Sequence, residues 1–94
     1  MYGTVARARV KPENREKLRE VFERQQMQTT IPGFVNSYVL FENESDTMWL
    51  VAVFADRESY DRNADDPAQH ERYVEYRALM EEDPEWHDGT IEKG

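Results

Sequence analysis

The 94-residue sequence contains no cysteine, which removes disulfides, thiolate nucleophiles and thiolate-ligated metals from consideration and agrees with a reducing cytoplasm. Positive charge is scarce: 12 lysines and arginines face 20 aspartates and glutamates, a formal charge of -8, so neither nucleic acid nor an anionic membrane surface is expected as a partner. No apolar run approaches the length of a membrane span, and Met1-Tyr2-Gly3-Thr4-Val5-Ala6-Arg7 lacks the apolar segment of a secretory signal. The expectation is a soluble cytoplasmic protein. There is also little proline, and Pro12, Pro32, Pro67 and Pro84 all fall between periodic segments; no repeat, low-complexity tract or linker is present. Residues 1–94 therefore read as one domain, with 38% apolar residues and a core that is only marginally sufficient by itself.

Against this polar background stands one apolar run, Met48 to Ala55. Eight residues suit a strand covered on both faces, with Met48, Leu50, Ala52 and Phe54 pointing one way and Trp49, Val51, Val53 and Ala55 the other. A chain this short can lay its helices over one face of a small sheet and has little left for the second. A second copy of the protein is the expected cover, which predicts a homodimer.

The flanking segments supply the rest of that sheet. Tyr2 to Val10 reads as a strand with Val5, Arg7 and Arg9 on one face and Thr4, Ala6, Ala8 and Val10 on the other. The two arginines are read as solvated or paired with acids on a neighbouring strand, with anion binding as the sharper alternative. Lys11-Pro12-Glu13 opens an amphipathic helix whose narrow stripe is Leu18, Val21 and Phe22. Pro32-Gly33 ends the following turn, and Phe34 to Glu42 forms a second strand alternating Phe34, Asn36, Tyr38 and Leu40 with Val35, Ser37, Val39 and Phe41. Asn43-Glu44-Ser45-Asp46 turns the chain back into the apolar strand. Asp56 is a helix N-cap, and Asp66-Pro67 a second one that restarts the helix after a break and carries it to about Met80. The tail from Glu85 to Glu92 is too short and polar for a core strand, and reads as an edge strand or an arm onto a partner.

The order βαββαβ with a split last helix predicts an α+β, ferredoxin-like antiparallel sheet with helices on one face. The pattern of strand, helix and hairpin, the Pro32-Gly33-Phe34 lead-in, the bulky strand ending at Phe54-Ala55, and the run Arg57-Glu58-Ser59-Tyr60, Asn63-Ala64-Asp65-Asp66-Pro67 and His70 resemble the antibiotic biosynthesis monooxygenase-like domain. The resemblance covers nearly the whole chain. It implies a dimeric α+β barrel, with a pocket between the sheet and the helices of each subunit.

Within that resemblance, Tyr60, Asn63, His70, Tyr73 and Arg77 lie close to one helical face once the Pro67 break is allowed for. Asn63, His70 and Tyr73 are the candidate catalytic residues. Trp49, Tyr60 and Arg77 are the candidate substrate contacts. Tyr60, Tyr73 and Trp49 are equally readable as packing residues, and Asn63 as a turn residue near the break. Haem-degrading relatives carry an aromatic residue near the position of Asn63, an iron-ligating histidine near that of Tyr73 and an asparagine in the first strand; none of the three is present. No cofactor is expected. Nor is a metal, because His70 and His87 stand seventeen residues apart with no tight ligand spacing around them. The resemblance implies a cofactor-independent monooxygenase acting on a small electron-rich aromatic or quinol, which itself reduces dioxygen, with a histidine suited to proton transfer near neutrality. The other reading is a non-catalytic dimeric module, ligand-binding or stress-associated, using the same pocket.

Overall fold

The computed structural model describes residues 1–94. Strand β1 (Tyr2–Arg9) leads through a single 3-10 turn at Pro12–Asn14 into helix α1 (Arg15–Gln28). The hairpin of β2 (Phe34–Phe41) and β3 (Thr47–Phe54) follows, then α2 (Arg57–Ala64), α3 (Pro67–Arg77) and β4 (Glu85–Thr90). The four strands form one antiparallel sheet in the order β2-β3-β1-β4. This is the ferredoxin-like α+β arrangement, with the apolar strand β3 and its neighbour β1 in the centre.

Local chemistry accounts for the breaks. The Asp56 carboxylate accepts from the Ser59 N–H at 2.8 Å and starts α2; Asp66 accepts from the Ala68 N–H at 2.9 Å and starts α3, with Pro67 at its first position. Gly33 has φ +80°, and a Cβ there would overlap the side chain of Ser59. The turn before β2 therefore needs glycine both for its backbone and for the approach of α2.

The helices cover the face of β3 that carries Met48, Leu50, Ala52 and Phe54. On β1 the same face presents Thr4, Ala6 and Ala8, all buried; Ala6 lies opposite Leu50 and Ala8 opposite Met48. Small residues on the central strand let the helices sit close. Ala8, Val10, Leu18, Met48, Tyr76 and Met80 form the buried core, with Phe22, Leu50 and Tyr73 packed against it. That core fills the end of the layer near the start of β3. The other end, toward Phe54, is hollow.

The strand β2 departs from simple alternation. A bulge between Phe34 and Asn36 leaves Phe34 opposite Phe54 and Asn36 opposite Val53, while Ser37 pairs with Ala52. Phe34 thereby joins Ser37 on the helix side, with its ring 5.6 Å from that of Phe54, instead of sharing a face with Asn36, Tyr38 and Leu40. The tail is an edge strand: β4 pairs with β1, setting Trp86 opposite Ala6 and Asp88 opposite Thr4. Arg9 meets Asp46 at 3.7 Å, the pairing with an acid expected for it.

The outer face of the sheet has no cover within the chain. Tyr38 and Leu40 are 60% and 56% exposed and Val5 is 37% exposed, with Trp49 and Val51 between them in register. Only 13 of 94 residues are buried, and this face holds apolar surface that a further contact could cover. No helix is long and apolar enough to cross a membrane.

Candidate functional site

The hollow end of the layer is a cavity of about 640 Å³. Its floor is Thr4 of β1 with Leu50, Ala52 and Phe54 of β3, and its roof comes from all three helices. Helix α1 contributes Phe22, Gln25 and Gln26; α2 contributes Tyr60 and Asn63; α3 contributes Gln69, His70, Arg72, Tyr73 and Tyr76; Trp86 of β4 closes one side. The break at Asp65-Asp66 bends the chain so that Asn63 and Tyr73 face one space from different helices.

Tyr60 is the best-anchored polar group. Its ring makes edge contacts with Phe54 at 5.5 Å and Tyr2 at 5.3 Å, and its hydroxyl donates to Asp88 Oδ1 at 2.8 Å. Burial, and then the Asp88 carboxylate that accepts its proton, push the phenol from 10.0 up to about 12. It remains a neutral donor throughout the ordinary pH range. Tyr76, deeper between α1 and the sheet, is pushed up further by burial.

The Asn63 side-chain oxygen accepts from Arg72 Nη2 at 3.2 Å, and Arg72 Nε donates to Gln69 Oε1 at 3.0 Å, so two amides and a guanidinium form one polar strip along α2 and α3. Tyr73 stacks edge-on against Tyr76 at 5.4 Å and tilts against Trp86 at 6.1 Å. His70 is exposed and stands at the rim.

Four of the six residues selected from the sequence are thus brought together: Tyr60, Asn63, His70 and Tyr73. Trp49 and Arg77 are not. Trp49 points to the outer face of the sheet, where its indole N–H donates to Glu42 Oε2 at 2.7 Å; strand alternation sets it opposite Leu50 and Ala52. Arg77 lies on the last turn of α3, where its guanidinium is held by Asp83 at 2.8 Å and by the Met80 carbonyl at 3.1 Å. The sequence reading overlooked Gln25, Gln69, Arg72 and Trp86. Helical spacing from Asn63 and Tyr73 would have reached Gln69 and Arg72, whereas Trp86 depends on the pairing of a polar edge strand. No group of three or more His, Asp or Glu side chains is placed to hold a metal ion.

A ferredoxin-like sheet with a roofed, mainly apolar cavity lined by tyrosine and amide tips is the plan of a small-molecule pocket protein. This chain belongs to the antibiotic biosynthesis monooxygenase family, whose model matches residues 1–79. Its fold is of the monooxygenase type.

Solved structures agree on the fold. SnoaB, a cofactor-independent oxygenase from Streptomyces nogalater, is similar at 24% identity and a TM-score of 0.78, over 99% of this chain and 94% of that one. A mutant form of the same oxygenase superposes at 0.80. A conserved protein from Methanosarcina mazei is similar at 17% identity and a TM-score of 0.78, over 97% of this chain and 92% of that one. Rv0793 from Mycobacterium tuberculosis is 14% identical at 0.74, over 99% and 96%. No curated protein matches the chain.

Proposed function

We propose that the protein is a cofactor-independent monooxygenase acting on a small electron-rich aromatic, a hydroxyarene or quinol, bound in the cavity between sheet and helices. The observation that carries this reading is the cavity itself. Its apolar floor and aromatic walls suit a flat ring, and Tyr60, Asn63 and Tyr73 are among the polar groups along it that could meet ring oxygens. Family membership and the likeness to the SnoaB oxygenase support it.

The chemistry asks little of the protein. An ionised hydroxyarene is electron-rich enough to reduce dioxygen; one oxygen atom ends on a ring carbon as a carbonyl and the other leaves as water, the ring carbon supplying the electrons. The Tyr60 oxygen is left to accept a hydrogen bond from the substrate, since its own proton is donated to Asp88. A substrate hydroxyl placed on it is oriented and begins to lose its proton along the line from substrate to Tyr60 to Asp88. Asn63 holds a second oxygen. Asp88, exposed on β4, hands the proton on to solvent, His70 stands at the rim, and Phe22, Leu50, Phe54 and Trp86 keep water from the reacting carbon.

The working unit is a homodimer joined through the outer sheet face, with Tyr38, Leu40 and Trp49 at its centre. Covering that face removes apolar surface from water and leaves the cavity, on the opposite side of the sheet, open.

The test is oxygen uptake with a panel of hydroxyarenes and hydroquinones under labelled dioxygen. Protein-dependent incorporation of a single labelled atom into the product is expected. Oxidation that releases hydrogen peroxide without incorporation would overturn the monooxygenase assignment, and ligand binding with no uptake at all would favour the non-catalytic reading.

A further inference from the structure

Arg72 is the only residue with a fixed charge that lines the cavity, and no aspartate or glutamate lines it. Its partners are neutral: Nε donates to Gln69 Oε1 at 3.0 Å and Nη2 to Asn63 Oδ1 at 3.2 Å, while Nη1 makes no hydrogen bond with the protein. Six of the nine arginines sit against a carboxylate; Arg7, Arg15 and Arg72 do not, and of these three Arg72 alone lines the cavity. In a chain with 20 acids and 12 bases, Arg72 brings an uncompensated positive charge to the cavity wall. Glu75, one turn further along α3, is engaged by Arg24 and Gln25. The position is also braced, because Gln25 donates to the Arg72 carbonyl at 3.2 Å.

We infer that Arg72 is the anion-recognition residue of the cavity, so that the preferred substrate is an aromatic acid: a ring lying against Phe22, Phe54 and Trp86, with a carboxylate on the Arg72 guanidinium. This rests on the reading of the cavity as the substrate site. A planar guanidinium with free donors matches a carboxylate in geometry, and in a cavity walled by apolar side chains the pairing is screened less than at the surface. Asn63 and Gln69 hold the guanidinium from one side and leave its remaining donors for the ligand. Arg72 is therefore a specificity-determining residue, separate from the Tyr60–Asp88 pair that meets the reacting end.

The experiment is an anaerobic calorimetric titration of the parent protein, Arg72→Gln and Arg72→Lys with 1,4-dihydroxy-2-naphthoic acid and with its methyl ester, at neutral pH. The acid is expected to bind the parent about tenfold or more tightly than the ester, the range of a charge-assisted hydrogen bond. Arg72→Gln should bring the acid down to the level of the ester while leaving the ester within about twofold, and Arg72→Lys should keep part of the preference. Equal binding of acid and ester by the parent would overturn the inference, and that comparison needs no variant to fold. Equal weakening of both ligands in Arg72→Gln would overturn it too, by assigning Arg72 a purely structural part. Dioxygen uptake with the neutral ester but no preference for the acid removes this inference alone. A preference for the acid that depends on Arg72, without uptake, removes the oxygenase reading and leaves this one standing.

Discussion

The Tyr60 hydroxyl donates to Asp88 Oδ1 at 2.8 Å, joining helix α2 to the edge strand β4 across 28 residues of sequence. In the proposed reaction this bond sets the direction in which a proton travels at the hollow end of the fold. It also ties the edge strand to the helix layer, so the proposed chemistry of the cavity and the stability of the molecule share one bond.

The linkage has a definite sign. Tyr60 holds its proton more tightly folded than unfolded, with the phenol raised from 10.0 to about 12. Its contribution to stability is complete below pH 10 and is lost as the pH rises from there toward 12. Chemical denaturation across that range should show stability falling for the parent and falling less steeply for Tyr60→Phe. At neutral pH the same substitution should cost about 0.5–1.5 kcal/mol, the net value of one hydrogen bond. Parallel alkaline profiles for parent and variant would show that Tyr60 is not the group responsible.

Asn63→Ala and Tyr73→Phe remove polar tips from the cavity and leave its packing in place. Each should weaken binding of a hydroxyarene by about tenfold and lower stability by no more than about 1–2 kcal/mol. Trp49→Ala, on the far side of the sheet, should leave the affinity per folded subunit unchanged and act on association. Paired measurements of ligand affinity and melting temperature separate the two groups; unaltered affinity in both Asn63→Ala and Tyr73→Phe would move the site elsewhere.

Light scattering should give about twice the chain mass of 11.2 kDa. Leu40→Glu places a charge beside Trp49 on the exposed sheet face and should yield monomers at micromolar concentration, since an unpaired charge buried in an apolar interface is costly. A parent protein that is itself monomeric at that concentration would refute the homodimer.

Much of this architecture was legible from the residues alone. The period of two in β1 and β3, the caps at Asp56 and Asp66, and Pro67 at the head of α3 are local signals, and each is read from neighbours in sequence. What stayed hidden depends on pairing. The bulge that turns Phe34 toward the helices is a matter of register between β2 and β3. Strand β4 is made by backbone bonds to β1 and has no apolar pattern of its own, so Trp86 and Asp88 were not placed at the site. Trp49 reads as a cavity residue from the sequence because alternation divides a strand into two faces without saying which one the helices take. The deciding feature is the row Thr4, Ala6 and Ala8 on β1, small enough for helices to approach. Arg77 followed from helical spacing after Tyr73, but the helix ends there and Asp83 captures its side chain. Arg72, one residue before Tyr73, occupies the cavity instead.

The central claim is that the cavity between sheet and helices is where dioxygen chemistry takes place, and filling it is the most direct test. Ala52 lies on the floor, between Leu50 and Phe54, and Ala52→Phe projects a ring into the empty volume at a cost of about 1–3 kcal/mol or less, because the space is already there. The measurement is protein-dependent dioxygen uptake with a hydroxyarene that the parent oxidises, compared between parent and Ala52→Phe, with circular dichroism to confirm that both are folded. The account predicts uptake by the parent and its loss in the folded variant. Uptake by folded Ala52→Phe at the parental rate would contradict it.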